Sequence, residues 1–171
     1  MILNQQQQIE KMDSLIRANN LIIHNIPEDD LSHGGEILAD DDEKLQFLID
    51  SACIDVSPDD VISLQRLGKK QSGKVRPLKI TLKNPEKKFS FLNKRKMIIM
   101  NDKLKTFFHN RIYVNSDNSF LVQKEEYRLR QRLKEMKDDF PGIPAYIRSG
   151  ALLFDGKVVD KVDIKNQLGF L

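Results

Sequence analysis

Lysine and arginine are the side chains here whose number and spacing could do chemistry. Residues 61–137 hold 21 Lys/Arg against six Asp/Glu, a net +15. Residues 1–60 hold three against 14, a net −11, and residues 138–171 hold four against five. The whole chain carries only +3. Solubility does not call for a block of that sign inside a near-neutral protein, whereas a polyanion-facing surface does. The simpler account is a set of solvated helix faces. Phosphate neutralised by Lys or Arg releases counterions, and the guanidinium adds a fork that fits phosphate and a plane that stacks on bases.

The cations fall in three groups. In the first, Lys69, Lys70, Lys74 and Arg76 surround Gly68 and Gly73, with Arg66 before and Lys79 after. A flexible cationic loop can follow an irregular single strand without strict sequence choice. The second is Lys87-Lys88 with Lys94, Arg95 and Lys96, followed by Arg111. The third is Arg128, Arg130, Arg132, Lys134 and Lys137, in which Arg128 and Arg132 share a helix face. Should the loop and this helix lie side by side, they would form two walls of one groove. Tyr113 and Tyr146 are stacking candidates, or else core or edge residues.

Other chemistry finds little support. Asp40-Asp41-Asp42-Glu43 could hold Mg²⁺ or Ca²⁺, but acids also belong at a helix N-terminus, and no calcium-loop spacing is present. His24, His33 and His109 are dispersed and lack cysteine partners for zinc. There is no P-loop, nucleophile elbow or Ser-His-Asp pattern, and acids and bases are segregated by segment. The expectation is a non-enzyme with no cofactor and no metal. The single cysteine, Cys53, forms no disulfide within the chain and fits a reducing compartment, cytosol or nucleus. Its apolar helical context reads as a small buried hydrophobe. No apolar run reaches membrane-spanning length and no signal peptide opens the chain, so a soluble protein without membrane contact is expected.

The elements that must position the cations follow from periodicity. Ile2, Gln5, Ile9, Met12 and Ile16 make a short a/d seam, either the stub of a coiled coil or an ordinary amphipathic helix. Leu21–Ile26 reads as a strand stopped by Pro27, and the acidic residues 27–42, with Gly34-Gly35, as a loop. A helix over about 42–53 buries Leu45, Leu48, Ile49 and Ala52. Val61–Leu67 and Arg76–Lys83 are strands, the second with Leu78, Ile80 and Leu82 on one face. Asn84-Pro85-Glu86 starts a helix running to about Met97, with Phe89, Leu92 and Lys96 aligned. A short helix within 98–110, with Phe107-Phe108 as core, precedes a strand at Arg111–Asn115. Two βαβ units in series predict an antiparallel four-stranded sheet with both helices on one face and the other face free. Beyond it come a charged helix over 120–136, a hairpin of Ala145–Arg148 and Ala151–Phe154, a short strand after Asp155-Gly156, and a small helix over 163–168.

Asn20–Glu28, Arg66–Lys69, Arg76–Ile80, Ile112–Asn115 and the Gly150–Lys157 hairpin, in that order and spacing, resemble the first-open-reading-frame protein of LINE-type retrotransposons. Baculoviral FP-type structural proteins share this architecture. The resemblance implies an α+β chain: a coiled-coil stub at 1–19, an RNA-recognition-motif-like domain at 20–117 and a small C-terminal α/β domain at 118–171. It implies a protein that coats single-stranded RNA, with DNA as a second candidate ligand, acts as a nucleic-acid chaperone in a ribonucleoprotein particle, and self-associates as dimer or trimer through the coil. It matches Arg66, Lys69, Lys70, Lys74 and Arg76 to nucleic-acid contacts, and with them Lys124 and Arg128. Ordinary RNA-recognition motifs stack bases on strand aromatics, whereas the corresponding positions here hold Ile22, Leu78 and Ile80. A structural module, in which the basic segment of one copy docks the acidic segment of another, is the alternative expectation.

Overall fold

In the computed structural model, residues 2–29, 31–33, 36–148 and 150–162 are described. The chain is mixed α+β and divides into two compact units, Ile16–Asp117 and a discontinuous one of Met1–Leu15 with Asn118–Leu171.

The first helix, α1 (Ile2–Arg17), groups through Leu15 with the carboxy-terminal unit. The Ile16–Asp117 unit then runs β1 (Asn20–His24), β2 (Leu31–His33), β3 (Glu36–Leu38), α2 (Asp41–Ser51) and β4 (Val61–Arg66). It continues with β5 (Leu78–Leu82), α3 (Pro85–Met100), α4 (Asp102–Phe108) and β6 (Tyr113–Ser116). Strands β4-β5-β1-β6 form one antiparallel sheet in that order. Period-two alternation decides its faces. Leu21, Ile23, Leu78, Ile80, Leu82 and Val114 point to one side and are at most 2% exposed. They form a single core with Leu45, Leu48 and Ile49 of α2 and with Phe91 and Ile98 of α3.

The opposite face is a row across all four strands, Gln65–Lys79–Ile22–Asn115, with His24 beside Tyr113 one step along. Leu78 and Ile80 therefore belong to the helix-packed face. The outward positions of β5 are Lys79 and Thr81, a correction to the sequence expectation.

Local chemistry sets the helix ends. The Asp40 carboxylate accepts from the Glu43 backbone N–H (2.8 Å), and Glu43 reaches back to the Ala39 N–H (2.7 Å). Two members of the acidic run, Asp40 and Glu43, thus satisfy backbone donors at the start of α2. Asn84 caps α3 by accepting from the Lys87 N–H at 3.0 Å, with Pro85 at the first position. Phe47, Phe107 and Phe108 cluster, with ring centroids 4.1–6.0 Å apart, and dock α4 on α2.

Three expectations change. Residues 27–42 contain the β2–β3 hairpin, paired Leu31↔Leu38 and His33↔Glu36. Phe89 is 63% exposed, and Phe91, two residues on, is the buried ring of α3. Cys53 is exposed, because α2 ends at Ser51 and Cys53 turns out in the left-handed region (φ 48°), while Ala52 and Ile54 carry the core.

In the other unit, α5 (Phe120–Asp139) packs on a meander of β7 (Ala145–Arg148), β8 (Ala151–Phe154) and β9 (Lys157–Lys161). Leu129, Ala145 and Leu152 are buried, and Phe140 meets Phe154 edge-on at 5.4 Å. Asp155 (φ 49°) and Gly156 (φ 75°) make the tight β8–β9 turn. The helix expected at 163–168 lies outside the described residues.

Candidate nucleic-acid interface

The first basic group does not behave as one set. Arg66 ends β4 facing the helix side of the sheet, and its side chain is 8% exposed. All five of its N–H donors are committed. Nε and Nη2 fork onto the Asp41 carboxylate, Nη1 donates to the Ile26 and Arg76 carbonyls (2.7 and 2.8 Å), and Nη2 also donates to the Pro27 carbonyl (3.1 Å). Nothing remains for a phosphate, so Arg66 is a positioning residue rather than a contact.

Arg76 likewise grips Glu28. Nε lies 3.1 and 3.2 Å from its two oxygens, Nη2 is at 2.6 Å, and the Arg76 backbone N–H adds a bond at 3.0 Å. These bonds hold the Glu28 carboxyl down at about 2. Both arginines were expected contacts. Glu28 and Asp41, the first residue of α2, consume them instead.

Lys44 was not anticipated. It is fully buried, and its ammonium donates to the carbonyls of Asp29 (3.0 Å), Ala39 (3.3 Å) and Glu28 (3.5 Å). Three donors meet three acceptors, which is how a buried ammonium is tolerated. A lone lysine beside the apolar positions of an acidic helix was the available signal.

These three cations fix the Pro27–Asp29 strip against the base of the β4–β5 loop. The loop closes through Leu67 N–H to the Pro77 carbonyl (2.8 Å) and folds on itself at the Gln71↔Lys74 bridge. Gly73 takes φ +74° in that turn, a conformation that favours glycine. Between the strip and loop residues 70–75 lies a cleft of about 390 Å³. Lys70 and Lys74 line it, Lys69 precedes them on the loop, and all three are exposed with no ion-pair partner among the described residues. They are the part of the expected site that stays available.

The remaining candidates are spread. Lys79 and Tyr113, the latter 42% exposed, are on the open sheet face. Lys94 and Arg95 ride on α3, which covers the other face, so one strand crossing the open face does not reach them. Arg111 is exposed and ties the approach to β6 back to α3 through the Ile99 carbonyl (2.9 Å).

In the other unit, Lys124 is exposed on α5. Arg128 forks onto Asp160 (2.6 and 2.9 Å) and bonds the buried Glu125 (3.0 Å), which raises its affinity for its proton and lowers that of Asp160. It serves the α5–β9 contact. Arg132 is 60% exposed and pairs loosely with Glu135 at 3.6 Å. Tyr146 is 43% exposed.

Among the described residues, no three His, Cys, Asp or Glu converge on a metal position, and no helix is long and apolar enough to cross a membrane. Compared with known proteins, the chain matches no family model and no curated protein.

Proposed function

We propose that this chain is a non-enzymatic protein that binds and coats single-stranded nucleic acid, with RNA as its ligand and nucleic-acid chaperone activity. The carrying observation is the exposed loop trio Lys69, Lys70 and Lys74, without ion-pair partners among the described residues and with Lys70 and Lys74 lining an open cleft, while neighbouring Arg66 and Arg76 are spent on the fold. The β4-β5-β1-β6 order with both long helices on one face supports an RNA-recognition-motif-like reading of residues 20–117. The open face carries Ile22, Lys79 and Thr81 with Tyr113 at its edge, which suits electrostatic coating better than stacking on a central aromatic platform. A place in a cytoplasmic or nuclear ribonucleoprotein particle of a LINE-type element, or in an FP-type viral assembly, goes with this reading.

Self-association through α1 belongs to the same proposal. Ile9, Met12 and Ile16 are 62–72% exposed, whereas Glu10 on another face bonds Ser119. An outward apolar seam at heptad spacing supports pairing with further copies. Docking of acidic on basic segments between copies is less favoured, because Glu28, Asp41 and Asp60 already pair with Arg76, Arg66 and Lys87 within one copy.

The test is a salt titration of binding to a short single-stranded RNA. Three phosphate contacts give a log–log slope of about −2. Replacing Lys69, Lys70 and Lys74 together by alanine should weaken every RNA sequence alike and flatten that slope. A salt-independent affinity would overturn the proposal.

A further inference from the structure

The two walls of the cleft differ in kind, and the geometry points to a subsite for one nucleotide in which Asp29 reads the base and favours guanine. The inference rests on the nucleic-acid reading above and specifies which base the site holds.

One wall is the Pro27–Asp29 strip. Its backbone is pinned by Arg66 on the Pro27 carbonyl and by Lys44 on the carbonyls of Glu28 and Asp29. The Glu28 carboxylate is turned into the Arg76 clamp. The Asp29 side chain is exposed at the cleft and has no hydrogen bond or ion pair among the described residues. Facing this strip, Lys70 and Lys74 supply cations and Val75 supplies apolar surface, and Pro27 adds apolar surface from the strip itself. The cleft, about 390 Å³, falls within the roughly 300–1,000 Å³ of small-ligand sites.

Charge orients the occupant. A nucleotide phosphate belongs at the lysine wall and is repelled from Asp29, which leaves the base edge facing the carboxylate. Guanine presents N1–H and the N2 amino group side by side, and a carboxylate accepts both. Cytosine and adenine offer one amino group. Uracil offers a single N3–H between two carbonyl oxygens, and these oppose a carboxylate. The expected order is guanine, then cytosine and adenine, then uracil. Because the wall is held from behind by three cations, little ordering is left to be done on binding.

Two RNA oligomers of about 11 nucleotides test this by fluorescence anisotropy at one low salt concentration. One is all uridine, and the other carries a single central guanosine. The guanosine oligomer should bind about tenfold more tightly, in line with one good bidentate base contact. Asp29→Asn keeps the backbone carbonyl that Lys44 holds. It should bring the two affinities together by weakening only the guanosine oligomer. Lys74→Ala should weaken both equally. Equal, salt-sensitive binding of both oligomers by the unaltered protein overturns the base preference and leaves the coating function standing. A preference that survives in Asp29→Asn overturns the role of Asp29. Failure to bind either oligomer overturns the nucleic-acid reading itself.

Discussion

Arg66 and Lys70 differ by four positions and are alike in charge, yet their partners make them opposites. Removing Arg66 leaves the Asp41 carboxylate and three backbone carbonyls without their donor. Truncating one partner of a buried ion pair costs about 3–5 kcal/mol. Arg66→Ala should therefore lower urea-denaturation stability by about 3 kcal/mol, whereas the exposed Lys70→Ala should change it by under about 0.5 kcal/mol. Glu28 gives a pH signature. Its folded carboxyl titrates at about 2 against an ordinary 4.5. A depressed carboxyl contributes its full stability above the ordinary value and loses it as pH falls toward the folded one. The Arg76–Glu28 clamp should thus fail between about pH 4.5 and pH 2, and Glu28→Gln should flatten stability across that window, as followed by circular dichroism. Neither role was legible in the sequence. Charge density announces a basic segment, but it does not say which cations will find a carboxylate 25 or 48 residues away.

At the scale of elements, the alternation Leu78, Ile80, Leu82 and the Asn84-Pro85-Glu86 start could be read directly, because strand period and helix capping are local properties. Asn84→Ala should remove one capping bond and cost about 1 kcal/mol of thermal stability while leaving RNA affinity unchanged. The β2–β3 hairpin was missed because each strand has three residues, too few to show a period, although Gly34-Gly35 between them is a turn signal. In α3, Phe89 and Phe91 are both plausible anchors by composition. Only the helix's rotation against β5 and β6 selects Phe91. The cleft depends on β4–β5 loop closure and on a buried lysine from α2. Those are relations between elements, beyond the reach of any window along the chain.

At the scale of the molecule, the acidic first third and the basic middle partly cancel within one copy through the Arg66–Asp41, Arg76–Glu28 and Lys87–Asp60 pairs, while the loop lysines stay without ion-pair partners among the described residues. The apolar seam of α1 remains uncovered in a single copy. Replacing Ile9, Met12 and Ile16 by aspartate should convert a concentration-dependent oligomer into a monomer by sedimentation or light scattering, with the far-ultraviolet spectrum of the sheet domain preserved. If the variants assemble as before, α1 is not the contact. Coating of long RNA should suffer more than binding of a short oligomer, because linked copies raise the local concentration of lysine loops along one strand. The outward turn at Cys53 has a practical consequence as well. The chain has a single thiol, and it stands in solvent at the end of α2, so a maleimide dye can be attached at one defined position. Energy transfer between dyes on different copies could then report how closely they pack on a transcript.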